Sequence, residues 1–295
     1  MSNSYNKGFY IQQMKESRTS ASHVLPVLFE YYKPKSVIDI GCGTGSWLAE
    51  YVANGVNDII GIDGDYVDRP MLQIPRDKFL PHDLSKASDI RLGRRFDLAM
   101  SLEVAEHIPH DLSQDFIGWI TGLADVVMFS AAIPYQGGTD HVNENWIEYW
   151  ALIFRKFSFY PLDIIRSRIW NNPNVCWWYR QNIIVYARES VMSTLFPAFD
   201  KKTIPPSLVH PEIFLSACVR GNENEGAFYA RDLNYYRRLV KACKESRTEV
   251  KQDVVYNNLF NVLFDGKGKL RKKTGRQSRK NGIKSFLGKF WQRDE

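Results

Sequence analysis

The sequence has few cysteines and no long apolar run. Its four cysteines, at positions 42, 176, 218 and 243, form no C-x-x-C pair. This pattern argues against a disulfide framework and a cysteine zinc site, and it predicts a reducing, cytosolic environment. No apolar stretch approaches the roughly 20 residues that span a bilayer. The polar first residues lack the apolar core of a signal peptide, so we expect a cytoplasmic protein.

An excess of basic over acidic residues is also missing from most of the chain, although the net charge is +6. Residues 266–295 contain eleven basic and two acidic residues, a charge of +9 that leaves −3 for residues 1–265. The basic character therefore belongs to an appendage, and the body is mildly acidic. An acidic body makes nucleic acid a less favoured partner, because phosphates are bound by basic surfaces.

Glycines interrupt an apolar run in residues 36–47, SVIDIGCGTGSW. The pattern predicts a buried strand followed by a loop in which Gly41, Gly43 and Gly45 leave the backbone bare for a flat, polar cofactor. A second predicted strand ends at Asp63, 24 positions after Asp39. This spacing suits a βαβ unit whose second strand presents an acid to a ribose diol.

The glycine pattern separates two cofactor classes. A dinucleotide fingerprint needs its third glycine at position 46, where Ser46 stands. The pattern DIGCGTG instead resembles motif I of class I S-adenosylmethionine (SAM) dependent methyltransferases, and the resemblance extends over about residues 5–190. It implies that Asp39 holds the methionine end of SAM and Asp63 the ribose hydroxyls. The other implied cofactor contacts are Gly41, Cys42, Gly43, Gly45, Asp83, Leu84 and Ser101. Asp83 would lie near the adenine amino group, but it is equally placed to be a helix N-cap.

A cluster of acids and imidazole follows the fourth predicted strand. Glu103, Glu106 and His107 have the spacing i, i+3, i+4, which predicts one face of a helical turn. Such a set is either half of a divalent-metal site or a repulsive arrangement that needs another partner. His141 follows the fifth predicted strand and should reach the same edge of the sheet.

The E-x-x-E-H stretch with its later D-H-x-x-E is similar to the metal-binding residues of small-RNA 3′-terminal 2′-O-methyltransferases. A related E-x-x-E-H occurs in ubiquinone-biosynthesis O-methyltransferases. The resemblance implies Glu103, Glu106, His107 and His141 as ligands of Mg²⁺, Mn²⁺ or Zn²⁺, with Glu106, His107 and His141 as the catalytic residues. The metal would lower the pKa of an acceptor hydroxyl. Two alternatives stay open, a general base at His141 or His107 and purely structural roles.

Strands and helices alternate along the chain, which predicts an α/β fold with a mostly parallel sheet and helices on both faces. The predicted strands are 36–40, 58–62, 79–84, 96–101, 126–130, 158–165 and 182–187, and the predicted helices include 8–32, 45–54, 112–123 and 145–156. The resemblance implies a Rossmann-like, seven-stranded sheet whose last two strands form an antiparallel end. We predict a methyltransferase domain over 1–190, irregular chain over the proline-rich 188–225, a mostly helical extension over 191–265 and a basic tail over 266–295. The extension would pack on the core or form an oligomer contact.

The basic tail contains apolar residues with helical spacing. Its apolar positions are Ile283, Phe286, Leu287, Phe290 and Trp291, interspersed with lysines. Residues 280–292 therefore predict an amphipathic helix on an anionic membrane surface, and a peripheral location on the inner face of the membrane. Docking on the body or on a second subunit is one alternative, and nucleic-acid binding by 267–280 is another.

For the acceptor, we predict a sugar hydroxyl in a surface glycan or its lipid-linked precursor. The prediction combines the SAM motif, the diol-suited metal candidate, the aromatic-rich second half and the tail. A small-molecule natural product and the 2′-hydroxyl of RNA are the alternatives. Residues 131–150 contain no Lys or Arg, which counts against RNA.

Overall fold

The computed structural model of this protein describes residues 7–201 and 203–211, which include seven strands in one sheet and seven α-helices. The strands are β1 (Ser36–Ile40), β2 (Asp58–Asp63), β3 (Phe79–Pro81), β4 (Leu98–Leu102), β5 (Val126–Ser130), β6 (Phe159–Leu162) and β7 (Ile184–Arg188). The α-helices are α1 (Lys7–Phe29), α2 (Ser46–Ala53), α3 (Ser113–Leu123), α4 (Ile147–Lys156), α5 (Arg166–Ile169), α6 (Trp177–Asn182) and α7 (Glu189–Leu195).

The sheet has the strand order β3-β2-β1-β4-β5-β7-β6. Strands β1 to β5 pair in parallel, whereas β7 pairs antiparallel with both β5 and β6. The predicted mostly parallel, seven-stranded sheet with an antiparallel end is therefore confirmed. The strand order reverses between β1 and β4, so the connections from these two strands diverge and leave a crevice at their carboxyl ends.

The central strands are buried on both faces. Val37 belongs to the apolar cluster on one face and Ile38 to the cluster on the other, and Met128 and Phe129 divide in the same way. This alternation follows from the two-residue period of a strand. Helices α1 and α2 supply residues to the first cluster, and α3 and α4 to the second. The sheet is thus a rigid layer that fixes where each strand ends.

Several predicted bounds were wrong by a few residues. Helix α1 ends at Phe29, before Pro34, because the Leu28 carbonyl accepts the Tyr31 and Tyr32 amides in a closing turn. Strand β3 stops at Pro81, and β7 starts at Ile184. Strand propensity alone does not place these ends, since pairing with a neighbour decides them.

The two short helices that flank β7 were missed. Helix α6 is rich in aromatic residues, which also suit strands, and α7 falls in the segment predicted to be irregular. We predicted irregular chain over 188–225 because it contains four prolines, but the first of them, Pro197, lies after α7. Met192 and Phe196 are buried and attach this segment to the first apolar cluster.

Residues 203–211 form an extended strap held by buried side chains. The guanidinium of Arg166, which is 1% exposed, donates to the carbonyls of Pro206 and Gln181. The Gln181 side chain accepts the His210 amide at 2.7 Å. Within residues 7–201 and 203–211, no helix has the length and apolarity of a membrane span. The predicted tail and residues 212–265 of the predicted extension lie outside the described residues.

Candidate functional site

The glycine loop follows β1 and presents bare backbone at the crevice. The amides of Gly41 and Cys42 donate to the Ile62 carbonyl at 2.8 and 3.1 Å, which fixes the loop against β2. Gly43 has a positive φ of 54°, and no atom lies within 4 Å of the position a Cβ would take. Gly41 also has a positive φ, and a Cβ there would lie 2.2 Å from Val104 Cγ2. A positive φ is unstrained for glycine but strained for most other residues. The loop therefore carries no side chains at these positions and offers an open backbone surface to a ligand.

Asp63 ends β2 and is hydrogen-bonded from three sides. Its carboxylate accepts the Gly43 amide, the Gly64 amide and the Tyr66 hydroxyl, each at 2.6 Å. The side chain is buried, and the Gly43 contact ties it directly to the glycine loop. Asp63 is therefore held in place at the position predicted for ribose recognition.

Asp39, on β1, is a buried acid without such support. It is only 3% exposed, and among the residues that the structure describes none donates a hydrogen bond to its carboxylate. Burial, together with the neighbouring charge of Asp63, raises the pKa of Asp39 to about 8. A buried, unpartnered acid beside bare backbone suits a ligand that brings positive charge. SAM brings an ammonium, a sulfonium and a ribose diol, so these residues fit that cofactor.

The other predicted cofactor residues have mixed surroundings. Cys42 is buried with the pKa of its thiol raised well above the usual value by that burial, so the thiol is not a nucleophile. Asp83 caps the 3₁₀ helix Leu84–Asp89 through the Ser85 amide and hydroxyl, the arrangement that its N-cap alternative predicted. Ser101 is fully buried in β4, and its hydroxyl has no partner among the described residues. The adenine role of Asp83 stays a prediction.

The segments that follow β4 and β5 are joined to each other by hydrogen bonds. The Glu103 amide donates to the Ser130 carbonyl, and the amides of Val142 and Asn143 donate to the Glu106 carbonyl at 2.9 Å each. A side-chain contact adds to these, since His107 Nδ1 lies 3.3 Å from the Asp140 carbonyl. The backbone thus fixes the spacing between the E-x-x-E-H stretch and His141.

Glu106, His107 and His141 converge at this junction. One ligand atom from each lies within 4.8 Å of the others. The two imidazole rings have their centroids 4.9 Å apart and are nearly perpendicular. Surrounding protein atoms and the neighbouring His141 lower the pKa of His107, which favours its neutral, ligating form. The group has the residue types of a divalent-metal site.

Glu106 is the unsatisfied member of this group. It is fully buried, and neither carboxylate oxygen has a hydrogen-bond partner in the part of the chain that the structure describes. Burial raises its pKa well above the usual value, and the adjacent Glu103 raises it further. The backbone amides of Glu106 and Ala132 oppose this rise, but neither makes a hydrogen bond of good geometry to the carboxylate. A buried carboxylate in this state requires either a proton or a cation.

Glu103 lies outside the group, so the prediction of one helical face was wrong for this residue. It has a left-handed φ of 57°, and the 3₁₀ turn begins only at Ala105. Its carboxylate accepts the side-chain amides of Gln136 at 2.6 Å and Asn182 at 3.0 Å. The three-residue group thus forms without Glu103, whose two oxygens already have protein donors.

Glu144 orients His141, a role that we did not predict from the sequence. His141 Nδ1 lies 3.1 Å from Glu144 Oε1, and the same carboxylate accepts the amides of Tyr135 and Gly137. A proton on Nδ1 leaves Nε2 with its lone pair, ready for a metal or a proton. A Cβ at position 138 would lie 2.2 Å from His141 Nε2, so the observed position of that nitrogen requires a glycine at 138. The signal for Glu144 was the final acid of D-H-x-x-E.

Gln136 and Asn182 were also missed, because no local pattern marks an amide that reaches across the fold. Helix α6 brings Asn182 to Glu103, 79 positions away in the chain. His110 is half-buried, and its Nδ1 lies 3.0 Å from Asn143 Oδ1 and 3.1 Å from the Tyr149 hydroxyl. These contacts stabilise the loops around the three-residue group.

The sheet order, the glycine loop and the two acids at its edge define a Rossmann-like enzyme of the class I methyltransferase kind. A family model described as a methyltransferase domain matches residues 13–172, more than half of the chain, so the protein belongs to that family. It is a SAM-dependent methyltransferase.

Solved structures with a similar fold have low sequence identity to this chain. Magnesium protoporphyrin IX methyltransferase from Synechocystis, solved with bound SAM, is 18% identical, with a TM-score of 0.45 and coverage of 64% of this chain and 87% of that one. A sugar N-methyltransferase from Streptoalloteichus is 15% identical, with a TM-score of 0.47 and coverage of 64% and 97%. An O-methyltransferase family protein from Burkholderia thailandensis is 14% identical, with a TM-score of 0.45 and coverage of 61% and 57%. No curated protein sequence matches this chain.

Proposed function

We propose that this enzyme transfers the methyl group of SAM to a hydroxyl of a sugar, with help from a divalent metal. The observation that carries the proposal is the convergence of Glu106, His107 and His141 at the edge of the sheet next to the glycine loop. Glu106 contributes a buried carboxylate that lacks a partner, and His141 contributes a nitrogen oriented by Glu144. When bound, the metal supplies a Lewis acid that makes an acceptor hydroxyl more acidic.

The charge of the site supports a neutral, hydroxyl-rich acceptor. The loops at the site carry Glu103, Glu106, Asp140 and Glu144, while residues 131–150 contain no Lys or Arg. Buried amides such as Gln136 and Asn182 add polarity without charge. A phosphodiester chain would meet repulsion here, whereas a sugar would not. We propose a glycan or lipid-linked glycan precursor as the acceptor, and natural products with similar hydroxyls as the alternative.

The basic tail supports a place at a membrane surface. Residues 280–292 have the pattern of a basic amphipathic helix, which would bring the enzyme to lipid-linked acceptors on the inner face of the membrane.

A Mn²⁺ titration by calorimetry tests the metal. We expect the purified enzyme to bind Mn²⁺, and Glu106→Gln and His141→Asn to lose about 10-fold to 100-fold in affinity or more. The matched control is Glu189→Gln. Glu189 is an acid on α7 that pairs with Lys201, away from the three-residue group. An enzyme that binds no Mn²⁺, or whose Glu106→Gln variant binds it equally well, would contradict the proposal.

Methyl transfer from radiolabelled SAM tests the acceptor. We expect label in nucleotide-linked or lipid-linked sugars, loss of transfer with EDTA, and recovery with Mn²⁺ or Mg²⁺. Transfer to single-stranded RNA alone would identify the RNA alternative instead.

A metal-free general base at His141 is the second candidate, and the His141–Glu144 hydrogen bond favours it. The EDTA experiment separates the two. Under this second function, transfer survives EDTA and is lost in His141→Asn.

A further inference from the structure

Tyr66 closes over Asp63 from the solvent side. The tyrosine is 70% exposed, whereas Asp63 beneath it is 5% exposed. Its hydroxyl donates to Asp63 Oδ1 at 2.6 Å, which is a short hydrogen bond. The hydroxyl of an exposed side chain thus occupies an acceptor position on a buried carboxylate at the edge of the cofactor site.

The turn that carries Tyr66 is fixed, while the side chain is not buried in it. The Val67 amide donates to the Gly64 carbonyl at 3.2 Å, and the Val67 side chain is 3% exposed. A Cβ at position 64 would lie 2.0 Å from Tyr66 Cε1. The ring therefore crosses the bare backbone of Gly64 to reach Asp63, and rotation about the side-chain bonds of Tyr66 would move its hydroxyl away from Asp63.

The number of donors at Asp63 exceeds what a carboxylate accepts once a ribose arrives. A carboxylate has about four acceptor positions. The Gly43 amide, the Gly64 amide and the Tyr66 hydroxyl already use three of them. A ribose diol adds two further donors, so one of the present donors must leave. The two amides belong to the backbone of the loop and the turn, which leaves the Tyr66 hydroxyl.

We infer that Tyr66 caps the ribose site of the cofactor-free enzyme and is displaced by the ribose diol of SAM. The displacement exchanges one hydroxyl donor on Asp63 Oδ1 for another, and the exposed ring turns into solvent or along the bound nucleoside. Tyr66 then competes with the cofactor for Asp63 and sets the affinity of the site. This inference is independent of the proposed metal and acceptor, because cofactor binding is measured without either.

Calorimetric titration with S-adenosylhomocysteine (SAH) tests the inference. Tyr66→Phe keeps the ring and removes the competing hydroxyl, so we expect it to bind SAH roughly threefold to tenfold more tightly than the unaltered enzyme. The matched control is Tyr31→Phe, a change at another exposed tyrosine that lies two residues beyond the end of α1, and for it we expect no change in SAH affinity. Thermal unfolding of each variant checks that the fold is retained.

An SAH analogue that lacks both ribose hydroxyls provides the second arm. The analogue does not compete for Asp63, so Tyr66→Phe should bind it no more tightly than the unaltered enzyme does. Unchanged or weaker SAH binding by Tyr66→Phe would overturn the inference and identify Tyr66 as a residue that positions Asp63 for the bound ribose. An equal gain for SAH and the analogue would also overturn it.

Discussion

The site has a cofactor half at the ends of β1 and β2 and an acceptor half at the ends of β4 and β5. The two halves have the same arrangement of acids. Each half has a carboxylate that protein donors satisfy, the buried Asp63 in the first and the partly buried Glu103 in the second. Each also has a neighbouring buried carboxylate without a hydrogen-bond partner among the described residues, Asp39 and Glu106. In both halves burial raises the pKa of the unsatisfied acid, and the charge of the satisfied acid beside it raises that pKa further.

The halves differ in how they hold these acids. In the cofactor half, Asp39 and Asp63 belong to adjacent strands, and Gly43 donates to Asp63 across 20 positions. In the acceptor half, the ligands come from loops, and the support for Glu103 comes from positions 136 and 182. Regular strands position the cofactor acids, whereas contacts between distant segments position the acceptor group. Protein donors hold the carboxylates of Asp63 and Glu103 in place, whereas the carboxylates of Asp39 and Glu106 are left for a group that brings positive charge.

The largest expected effect is at Asp39. We expect Asp39→Asn to weaken SAM binding about 100-fold, because a charge-assisted contact with the cofactor is lost. The same change should stabilise the folded protein at pH 7 by about 2 kcal/mol, since a buried acid with a raised pKa opposes folding. Calorimetry with SAM and chemical unfolding measure the two effects. Asp63→Asn is the contrasting variant, and we expect it to lose both affinity and stability. A loss of stability in Asp39→Asn would break the comparison.

The stability difference should depend on pH in a defined direction. Because the pKa of Asp39 is about 8 in the folded protein, the folded state keeps a proton that the unfolded chain releases above its ordinary value of 3.8. The unaltered protein should therefore lose stability relative to Asp39→Asn as the pH rises from 4 toward 8, and no further above that. Thermal unfolding of both proteins from pH 4 to pH 9 measures the difference. A difference that shrinks as the pH rises would show that Asp39 is not buried as described.

The acceptor half should behave in the same way. We expect Glu106→Gln to raise the free energy of unfolding by about 1–2 kcal/mol and to abolish thermal stabilisation by Mn²⁺. Glu144→Gln should instead lower it by about 1 kcal/mol, because the Tyr135 and Gly137 amides lose a charged acceptor. Unfolding curves with and without Mn²⁺ provide both numbers. Equal destabilisation by the two changes would mean that Glu106 is satisfied like Glu144.

A smaller effect is expected at Gly138. The Cβ of Gly138→Ala would collide with His141 Nε2, so the imidazole must shift. We expect a loss of about 10-fold in Mn²⁺ affinity, with SAH affinity unchanged, because the cofactor half does not depend on this loop. The control is Gly122→Ala, where no atom lies within 4 Å of the new carbon. A parallel loss of SAH affinity would show that the two halves are coupled.

The smallest effect on either half should come from the tail. Deletion of residues 280–295 should leave SAH affinity and thermal unfolding unchanged, since the family match ends at residue 172. It should abolish co-sedimentation with vesicles that contain anionic lipids. Retained co-sedimentation would remove the membrane from the proposed function.

Much of the fold was readable from local pattern. The apolar run before Gly41 predicted β1 at its observed residues, and the run at 126–130 predicted β5 equally well. Buried parallel strands are continuous apolar runs, so their signal is strong. Helix α6 carried a weaker signal, because its WWYRQN composition suits a strand as well as a helix.

The sequence by itself determined the strand–glycine loop–helix unit and the acid that ends β2, because each depends on neighbours within a few positions. It also supplied the residue types of the three-residue group, Glu106, His107 and His141. Only the tertiary structure decided which acids are satisfied. Glu103 and Glu106 are three residues apart and look equivalent in E-x-x-E-H, yet Gln136 and Asn182 reach only Glu103. Hydrogen bonds between residues far apart in the chain have no periodic signature, and they separate the structural acid from the one left for a cation.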